Sequence, residues 1–489
     1  MALNIVIIVV VVILFLAALM LIRTTRTYKS FPAVKAIEDI EVDLEQIAQH
    51  LSAAIRIKTI SKDGKGIDSA PFMQYHRLLE RTYPLIHKNL GKEVISTATL
   101  LFTWPGKNPA LKPVLFAAHQ DVVPADEQTL DAWTHPPFSG EIADGFIWGR
   151  GTMDIKSQMI AVMEAVEKLL AEGYQPERTI LLGFGEDEEI GGQQGAAKIV
   201  AHLQEQGIEL AAMLDEGGSI TEGILPGVTG AVALVGTAEK GHVTLRLHTE
   251  STPGHSAMPG KDMAIGRLAR ALAKLDANPQ PAHMKALKEL YAHLGPAASF
   301  GMQFVFANLW FFGPIVRRMV EANPQSDASV RTTTALTMLK AGVKENILPH
   351  SAEAIVNMRL LPGDTIASVC ARVRKIIGDE KVMFEPMVGG YWEASPVSDT
   401  DIPAYKLLAL TIRQVFDGIP VAPYLVLGAT DARYYAPVSQ AVYRFTPYLS
   451  TKNDLNRMHG IDERLSVESM GKMVVFFYQL IRLWSKSEF

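Results

Sequence analysis

An uncharged apolar run, residues 5–22, opens the chain and contains no proline. In a helix these 18 residues extend about 27 Å, close to the thickness of the hydrocarbon layer of a bilayer. The run predicts a single-pass membrane anchor over residues 1–30. A cleaved signal peptide is the alternative, although no basic segment precedes the run and no A-x-A site closes it. By the positive-inside rule, Arg23, Arg26 and Lys29 indicate a cytoplasmic location for this end, but three charges leave the side of the main domain open.

From about residue 40 onward, apolar strands alternate with amphipathic helices. Segments predicted as strands are residues 94–104, 114–118, 178–184 and 210–214. Segments with helical spacing are residues 42–57, 73–90 and 157–172. Strands that are apolar on both faces and separated by helices favour a sheet covered on both sides. The pattern therefore predicts a three-layer α/β domain.

The pattern changes at residues 242–250, where Val243, Leu245 and Leu247 alternate with polar side chains. Further strands are predicted at residues 332–339, 353–360 and 381–387, and helices at residues 262–276 and 366–377. The order β-α-β-β-α-β is that of a ferredoxin-like unit. Because α/β material resumes after Tyr391, we expect this α+β domain to be an insertion. The predicted bounds are residues 40–237 and 389–489 for the two parts of the main domain, and residues 238–388 for the insertion.

An extra stretch, residues 277–331, interrupts the inserted unit. It carries six aromatic side chains within 13 positions: Phe300, Phe304, Phe306, Trp310, Phe311 and Phe312. The aromatic part is too short to span a bilayer, which needs about 20 apolar residues. It predicts either a buried helix of the inserted domain or an apolar surface near the active-site mouth. Such a surface would receive an acyl chain or dip into the bilayer.

Composition narrows the possible functions. Hydrophobic residues make up 48% and charged residues 20%, so the chain can bury a large core. The net charge is −5 and no block of Lys and Arg stands out, which argues against a nucleic-acid-binding protein. Cys370 is the single cysteine, so internal disulfides and cysteine-rich zinc fingers are excluded.

Several predicted strands and one further apolar segment run into histidine or carboxylate residues. These are His119 and Asp121, Asp154, the run from Glu186 to Glu189, and Asp215. Since the carboxyl ends of strands in open α/β sheets line the ligand crevice, these groups should converge. Converging carboxylates repel one another unless a cation is present. With histidine and without cysteine, the donors favour a divalent metal, and His459 in a late polar loop could complete two sites that share one carboxylate.

Eight motifs in this order resemble the di-zinc aminoacylase and carboxypeptidase family, metallopeptidase family 20. They are AAHQDVVP, GRGTMDIKSQM, GEDEEIGG, MLDEGG, GHSAMPG, VKENILPHSAEAIVNMRLLPG, GATDARYY and HGIDERL. Within it, RTTTALTMLKAGVKENILP and YRFTPY resemble the branch of carboxypeptidase S and N-fatty-acyl-amino-acid synthase/hydrolase. The resemblance implies a three-layer αβα di-zinc hydrolase domain with an inserted ferredoxin-like lid through which the protein forms a homodimer.

The resemblance also implies a ligand set. One zinc would be held by His119 and Asp215 and the other by Glu189 and His459, with Asp154 bridging them. Co²⁺ or Mn²⁺ are possible substitutes. A water between the metals would attack an amide carbonyl.

Further residues take roles by the same resemblance. Glu188 would be the general base, and Asp121 would fix the tautomer of His119. His255, often from the partner subunit in the family, would stabilise the oxyanion. Arg359 would grip the substrate carboxylate, and Asp431 would lie in the substrate site, where GATDA lacks the second glycine of the frequent GGTDA.

The predicted function is hydrolysis of an amide bond next to a free carboxylate, in a small N-acyl amino acid or at a peptide C-terminus. One alternative is a membrane-anchored dipeptidase or carboxypeptidase without acyl-chain preference. Others are a metal enzyme acting on an ester or amidine, and a non-catalytic binding module.

Overall fold

The computed structural model describes residues 2–28, 31–37, 40–62, 64, 66–225 and 227–486, so Lys29 lies outside the described residues. Helix Ala2–Thr27 forms at the N-terminus because its residues are apolar and unbroken by proline or glycine. In the described chain, its stretch Leu3–Thr27 is the one helix long and apolar enough to cross a membrane. A signal sequence has the same length and composition.

A ten-stranded mixed sheet forms the centre of the molecule. Nine of the ten strands lie side by side in the order Leu449–Thr451, Ile220–Glu222, Ala231–Glu239, Val442–Arg444, Ala212–Asp215, Val114–His119, Ile180–Gly185, Leu100–Trp104 and Gly91–Val94. The tenth strand, Val421–Val426, pairs with Ala231–Glu239. At the centre, Val114–His119 runs parallel to both of its neighbours. Their carboxyl ends therefore lie at the same edge of the sheet.

Helices cover both faces of this sheet, so its central strands are apolar throughout. Along the central strand, Val114, Phe116 and Ala118 pack on one face, and Leu115 and Ala117 pack on the other. The first face is covered by Leu44–Ile55, Ser69–Thr82, Pro84–Asn89, Lys156–Ala171, Pro403–Val415 and Val467–Trp484. The second face is covered by Ala196–Glu205 and the short helix Asp431–Tyr435.

Two predicted elements are divided in the structure. The strand predicted at residues 94–104 is a pair of antiparallel strands, Gly91–Val94 and Leu100–Trp104. The helix predicted at residues 73–90 breaks before Pro84, which begins the second helix because proline has no backbone N–H to donate to the preceding turn.

A second, four-stranded antiparallel sheet is formed by residues 241–392, which follow one group of strands of the first sheet in sequence and precede the other. Its spatial order is Thr333–Ala341, Ser351–Leu360, Gly241–Glu250 and Met383–Trp392. Two helices, Ala264–Ala277 and Ile366–Ile377, pack on one face and form a separate core with it. The chain order is strand-helix-strand-strand-helix-strand. The stretch between the first helix and second strand forms Lys285–Leu294, Gly295–Ala297, Phe300–Ala307, Leu309–Glu321 and Pro324–Val330.

The remaining strands are short and form three small sheets: Ser61–Lys62 with Gly66–Ile67, Gly254–His255 with Ile347–Leu348, and Arg464–Ser466 with Phe146–Trp148 and Ile142–Ala143. The last of these fixes the chain on either side of two site loops. It pairs Arg464 with Trp148, so the segment after His459 is held beside the segment before Asp154.

Candidate metal centre

Asp154 is the side chain that joins two groups of candidate metal ligands. Its Oδ1 lies 3.0 Å from His119 Nε2, and its Oδ2 lies 2.9 Å from His459 Nε2. Glu216 Oε1 lies 3.2 Å from His119 Nε2, and Glu189 Oε2 lies 3.2 Å from His459 Nε2. Each group of three offers donor atoms that all lie within 4.8 Å of one another. The geometry is that of two adjacent cation sites sharing one carboxylate.

The acidic surroundings favour positive charge at this place. Hydrogen bonds with Asp154 and Glu189 raise the pKa of His459 to about 10. Burial acts to raise the pKa of Asp154, but hydrogen bonds with His119 and His459 outweigh it and lower the pKa. Nitrogen and oxygen donors from two imidazoles and several carboxylates suit a hard or borderline divalent ion. Glu189 Oε1 is buried with no hydrogen-bond partner in the described chain, which also fits a metal ligand.

The structure brings Glu216 to His119, where the sequence analysis had assigned Asp215. Consecutive residues at a strand end project to opposite sides, so a shift of one residue reverses the direction. Asp215 is buried next to the ion pair of Arg444 and Glu239, whose charges act on it. Burial raises the pKa of Asp215 to about 6. Glu216, the next residue of the same LDEGG motif, therefore lies beside His119 in the place that the resemblance implies for Asp215. Asp215 Oδ2 is buried without a hydrogen-bond partner in the described chain.

Asp121 supports both sides of the centre. Its Oδ1 lies 3.3 Å from His119 Nδ1 and accepts from the backbone N–H of Glu188 at 3.1 Å. Its Oδ2 accepts from the backbone N–H of Glu189 at 3.2 Å and from the Ser61 hydroxyl at 2.6 Å. The backbone carbonyl oxygen of Asp121 lies closer to His119 Nδ1, at 2.9 Å. Asp121 therefore orients the imidazole through its carbonyl and its carboxylate, and the carboxylate also holds the turn that carries two further acids.

Two of the four acids in the EDEE run face the centre. Glu188 and Glu189 begin the short helix Glu188–Ile190, where burial raises the pKa of each. For Glu188, the charge of Glu216 adds to that effect and the charge of His119 opposes it. Glu186 and Asp187 have a different role, because their carboxylates accept backbone N–H groups from Ala98, Gln194 and Gly195.

Asp431 lies behind the EDEE turn. A Cβ atom on Gly192 would lie 2.1 Å from its Oδ1, and one on Gly185 would lie 2.8 Å from its Oδ2. Gly192 also has a φ of 68°, which favours glycine. Asp431 is buried, and burial raises its pKa well above the usual range. This packing places Asp431 against the segment that carries the acids.

A group of cationic and aromatic side chains lies where the two sheets meet. Arg359 is half-buried and paired in register with His242, and both burial and the charge of Arg433 lower its pKa. Trp392 stacks on His242 with ring centroids 4.6 Å apart, and the Arg433 guanidinium lies 5.0 Å from the Trp392 ring. In the part of the chain that the structure describes, no carboxylate lies within ion-pair distance of Arg359. His242, Trp392 and Arg433 were not assigned from sequence.

His255 lies on the surface of this single chain. It is exposed in strand Gly254–His255, which pairs with Ile347–Leu348. Its Nδ1 accepts a hydrogen bond from the backbone N–H of Ala257 at 3.0 Å. Among the described residues it makes no hydrogen bond to either group of candidate metal ligands.

Glu463 is a buried support that the motif analysis missed, although it lies within HGIDERL. Its Oε1 accepts from the backbone N–H groups of Gly151, Met153 and Asp154 at 2.9, 2.8 and 3.2 Å. Its Oε2 accepts from Arg150 Nη1 at 2.5 Å. The carboxylate therefore holds the loop that ends in Asp154. A sequence signal existed only as an acid four residues after His459.

A family model described as "Peptidase family M20/M25/M40" matches residues 115–483. The "Probable carboxypeptidase S-like 2" of Dictyostelium discoideum is 40% identical over 442 residues, covering 89% of this chain and 85% of that protein. The "N-fatty-acyl-amino acid synthase/hydrolase PM20D1" of Xenopus tropicalis is 40% identical over 447 residues, covering 90% of this chain and 86% of that protein.

Solved structures show the same fold at low sequence identity. The M20 family metallo-carboxypeptidase Sso-CP2 of Sulfolobus solfataricus has a TM-score of 0.61 and 16% identity, covering 91% of this chain and all of that one. The YXEP protein of Bacillus subtilis, titled a dinuclear metal binding peptidase from the M20 family, has a TM-score of 0.56 and 12% identity, with coverage of 90% and 99%.

We expect Glu463→Gln to destabilise the protein, because an amide N–H would then face the Arg150 guanidinium. Breaking a buried ion pair costs about 3 kcal/mol or more, which corresponds to a fall in Tm of about 3 °C or more for a chain of this length. Thermal unfolding followed by circular dichroism measures this. Glu468→Gln removes an exposed surface pair with Lys472 and should change the Tm by less than about 2 °C. Equal Tm values for the two variants would contradict the role of Glu463.

Proposed function

We propose that this chain, which belongs to peptidase family M20/M25/M40, hydrolyses N-acyl amino acids with long acyl chains at a centre of two divalent metal ions. It is a hydrolase acting on amide bonds, and the resemblance to the carboxypeptidase S and fatty-acyl-amino-acid branch is confirmed. The observation that carries the finer proposal is the pair of ligand groups sharing Asp154, together with the Arg359 guanidinium at the sheet junction, which pairs with no acid of the described chain.

The metal centre in this proposal uses Glu216 in place of Asp215, because Glu216 is the acid that lies beside His119. One ion would be held by His119, Asp154 and Glu216, and the other by Asp154, Glu189 and His459. Zinc is the proposed metal because the donors are imidazoles and carboxylates, and Co²⁺ or Mn²⁺ could replace it. When bound, a metal pair polarises the amide carbonyl and lowers the pKa of the attacking water toward about 7.

The chain's own groups then perform the proton transfers and hold the substrate. The carboxylate of Glu188 accepts the proton of the attacking water and returns it to the leaving nitrogen. Its position beside His119 and Glu216, with its backbone N–H bonded to Asp121, supports this role. Asp121 keeps His119 oriented throughout.

Arg359 is proposed to bind the substrate carboxylate. Its half-buried guanidinium can donate two parallel hydrogen bonds, and no acid of the described chain pairs with it. The neighbouring Arg433 adds positive charge, and Trp392 Nε1 and His242 Nδ1 are buried without hydrogen-bond partners among the described residues. A free carboxylate next to the scissile amide would therefore find donors at the junction of the sheets.

The metal content of single-residue variants should distinguish the metal ligands from the general base. We expect the wild-type protein to hold two metal ions, Glu216→Ala to lose metal, and the isosteric Asp215→Asn to retain both. Glu188→Ala should also retain both while kcat falls at least about 10²-fold, since only the proton acceptor is removed. Elemental analysis and turnover measure these outcomes. Metal loss in Asp215→Asn but not in Glu216→Ala would restore the original assignment, and near-normal turnover of Glu188→Ala would reject it as the base.

We further propose a homodimer through the second sheet, in which His255 reaches the neighbouring active site and stabilises the oxyanion. His255 is exposed and makes no hydrogen bond to either ligand group among the described residues, which supports action on another subunit. The edge strand Thr333–Ala341 exposes Leu336, Met338 and Leu339, a surface that a second copy would cover.

Subunit mixing tests that arrangement. Glu188→Ala and His255→Ala chains are each expected to be inactive alone. In heterodimers, one of the two sites would have both groups, so random mixing should restore roughly a quarter of wild-type turnover. A chain with both substitutions, mixed with Glu188→Ala, should restore none. Absence of recovery in demonstrated heterodimers would mean that His255 acts within its own chain or has no catalytic role.

Acyl-chain preference distinguishes the proposal from a plain carboxypeptidase or dipeptidase. A relative named as an N-fatty-acyl-amino acid synthase/hydrolase and the apolar N-terminal helix support a lipid-like substrate. Because each buried CH₂ contributes up to about 0.8 kcal/mol, kcat/KM should rise by up to about fourfold per CH₂. The measurement is a series of N-acyl amino acids from acetyl to oleoyl against dipeptides of the same C-terminal residue. Equal or faster hydrolysis of the dipeptides would mean that the enzyme is a peptidase without acyl-chain preference.

A further inference from the structure

The helices Phe300–Ala307 and Leu309–Glu321, here called the aromatic helix pair, lie on the surface of the protein. A buried helix was one of the two sequence predictions for this stretch. The structure instead buries one side chain in each helix, Ala307 and Val316. Large apolar side chains that are 51% to 70% exposed cover the rest: Phe300, Trp310, Phe311, Ile315 and Met319. So many exposed large apolar side chains on two consecutive helices are unusual in a protein surrounded by water alone.

The N-terminal helix is hydrogen-bonded to this pair close to its own C-terminal end. Arg23 Nε donates to the carbonyl oxygen of Ala307 at 2.7 Å. Asn308, which joins the two helices of the pair, donates through Nδ2 to the Met20 carbonyl and the Thr24 hydroxyl, both at 3.3 Å. Asn308 and Thr24 are fully buried in this contact. Two polar side chains thus fix the pair to the end of the apolar run.

The position of that contact along the N-terminal helix indicates how deep the pair would lie in a bilayer that the helix spans. The apolar run of residues 5–22 has the length of the hydrocarbon layer, about 27 Å. Met20 and Thr24 therefore lie where the hydrocarbon layer of a spanned bilayer ends. Aromatic side chains, and Trp above all, favour this interfacial layer. Arg317 and Arg318 are exposed on the same pair, where lipid phosphates would meet them.

The pair is also fixed to the catalytic body. The Phe306 ring stacks on Tyr291 with centroids 3.7 Å apart, and Met302 packs in the same apolar cluster. That cluster includes Val232 and Leu234 of a strand in the central sheet. Ser299 adds a backbone hydrogen bond to Gly227 at 2.9 Å. The sheet, the pair and the end of the N-terminal helix are thus one connected structure.

We propose that the exposed face of the aromatic helix pair lies in the interfacial layer of the bilayer that the N-terminal helix crosses, and holds the catalytic unit at a fixed depth on the lipid surface. The inference rests on the proposed membrane anchor and not on the proposed substrate. Its occupant is lipid, because the face continues directly from the end of the apolar run. A second copy of the chain or water are the competing occupants.

Quenching of tryptophan fluorescence by lipid tests the depth. The full chain is reconstituted in phosphatidylcholine and phosphatidylglycerol vesicles, with or without bromine near the glycerol end of the acyl chains. Trp310 is exposed, whereas the other described tryptophans are buried or half-buried, so Trp310 should dominate the quenching. We expect brominated lipid to quench the wild-type protein and the Trp310→Phe protein to lose that component. Trp104→Phe, a change at a buried strand position, should quench as the wild-type protein does.

Aqueous acrylamide separates the competing occupants. Trp310 quenched by acrylamide and not by brominated lipid would mean that it faces water, and Trp310 protected from both would mean that protein covers it. Either result overturns the proposal. Phe311→Asp should remove the lipid quenching of Trp310, whereas Val94→Asp, an exposed apolar position on an edge strand, should not. Failure of the chain to float with vesicles would overturn the anchor as well, and none of these readouts depends on turnover.

Discussion

The carboxylate of Asp154 is the interaction on which the rest of the site depends. Each of its oxygens faces a different histidine, at 3.0 Å from His119 and 2.9 Å from His459. The two histidines come from residues 340 positions apart in sequence, one on a central strand and one on a late loop. A single short side chain can bridge them only when both loops are held firmly in place, and buried groups support both loops.

Those supports are themselves carboxylates. Glu463 binds three backbone N–H groups of the loop ending in Asp154, and Asp121 binds two of the EDEE turn. Backbone donors of irregular loops inside a protein must be satisfied, and a buried anion satisfies several at once. The site therefore contains more acids than two metal ions need. Only the pattern of hydrogen bonds separates acids that face the centre from acids that hold its loops.

Other regions extend this centre in different directions. At the junction of the sheets, Arg359 and Arg433 bring positive charge next to Trp392, opposite in character to the acidic centre. His242, which stacks on Trp392, adds no charge there at neutral pH, because burial and the charge of Arg359 lower its pKa to about 4. A substrate with a carboxylate next to an amide matches that change of charge. On another side, the aromatic helix pair connects the central sheet to the end of the N-terminal helix. A hydrolase of amphiphilic molecules would use both features, one for the polar end and one for position at the lipid surface.

Local pattern determined much of this protein in advance. The central strands, the second sheet with its two helices, and the run of residues 5–22 follow from periodicity, because each depends on side chains within a few positions of one another. The motifs were also sufficient to identify the family, and His119, Asp154, Glu189 and His459 are the residues that the fold brings together.

Tertiary structure decided the choices that depend on direction and on distant contacts. Asp215 and Glu216 are adjacent acids in one motif, and only the orientation of the strand end shows that Glu216 faces His119. Glu463 acquires its role from backbone groups 309 to 312 residues away. The bonds from Asn308 to Met20 and Thr24 join segments more than 280 residues apart. Sequence periodicity reports which side of an element is apolar, but it does not specify what that side meets, because the partner is determined by the packing of the whole chain.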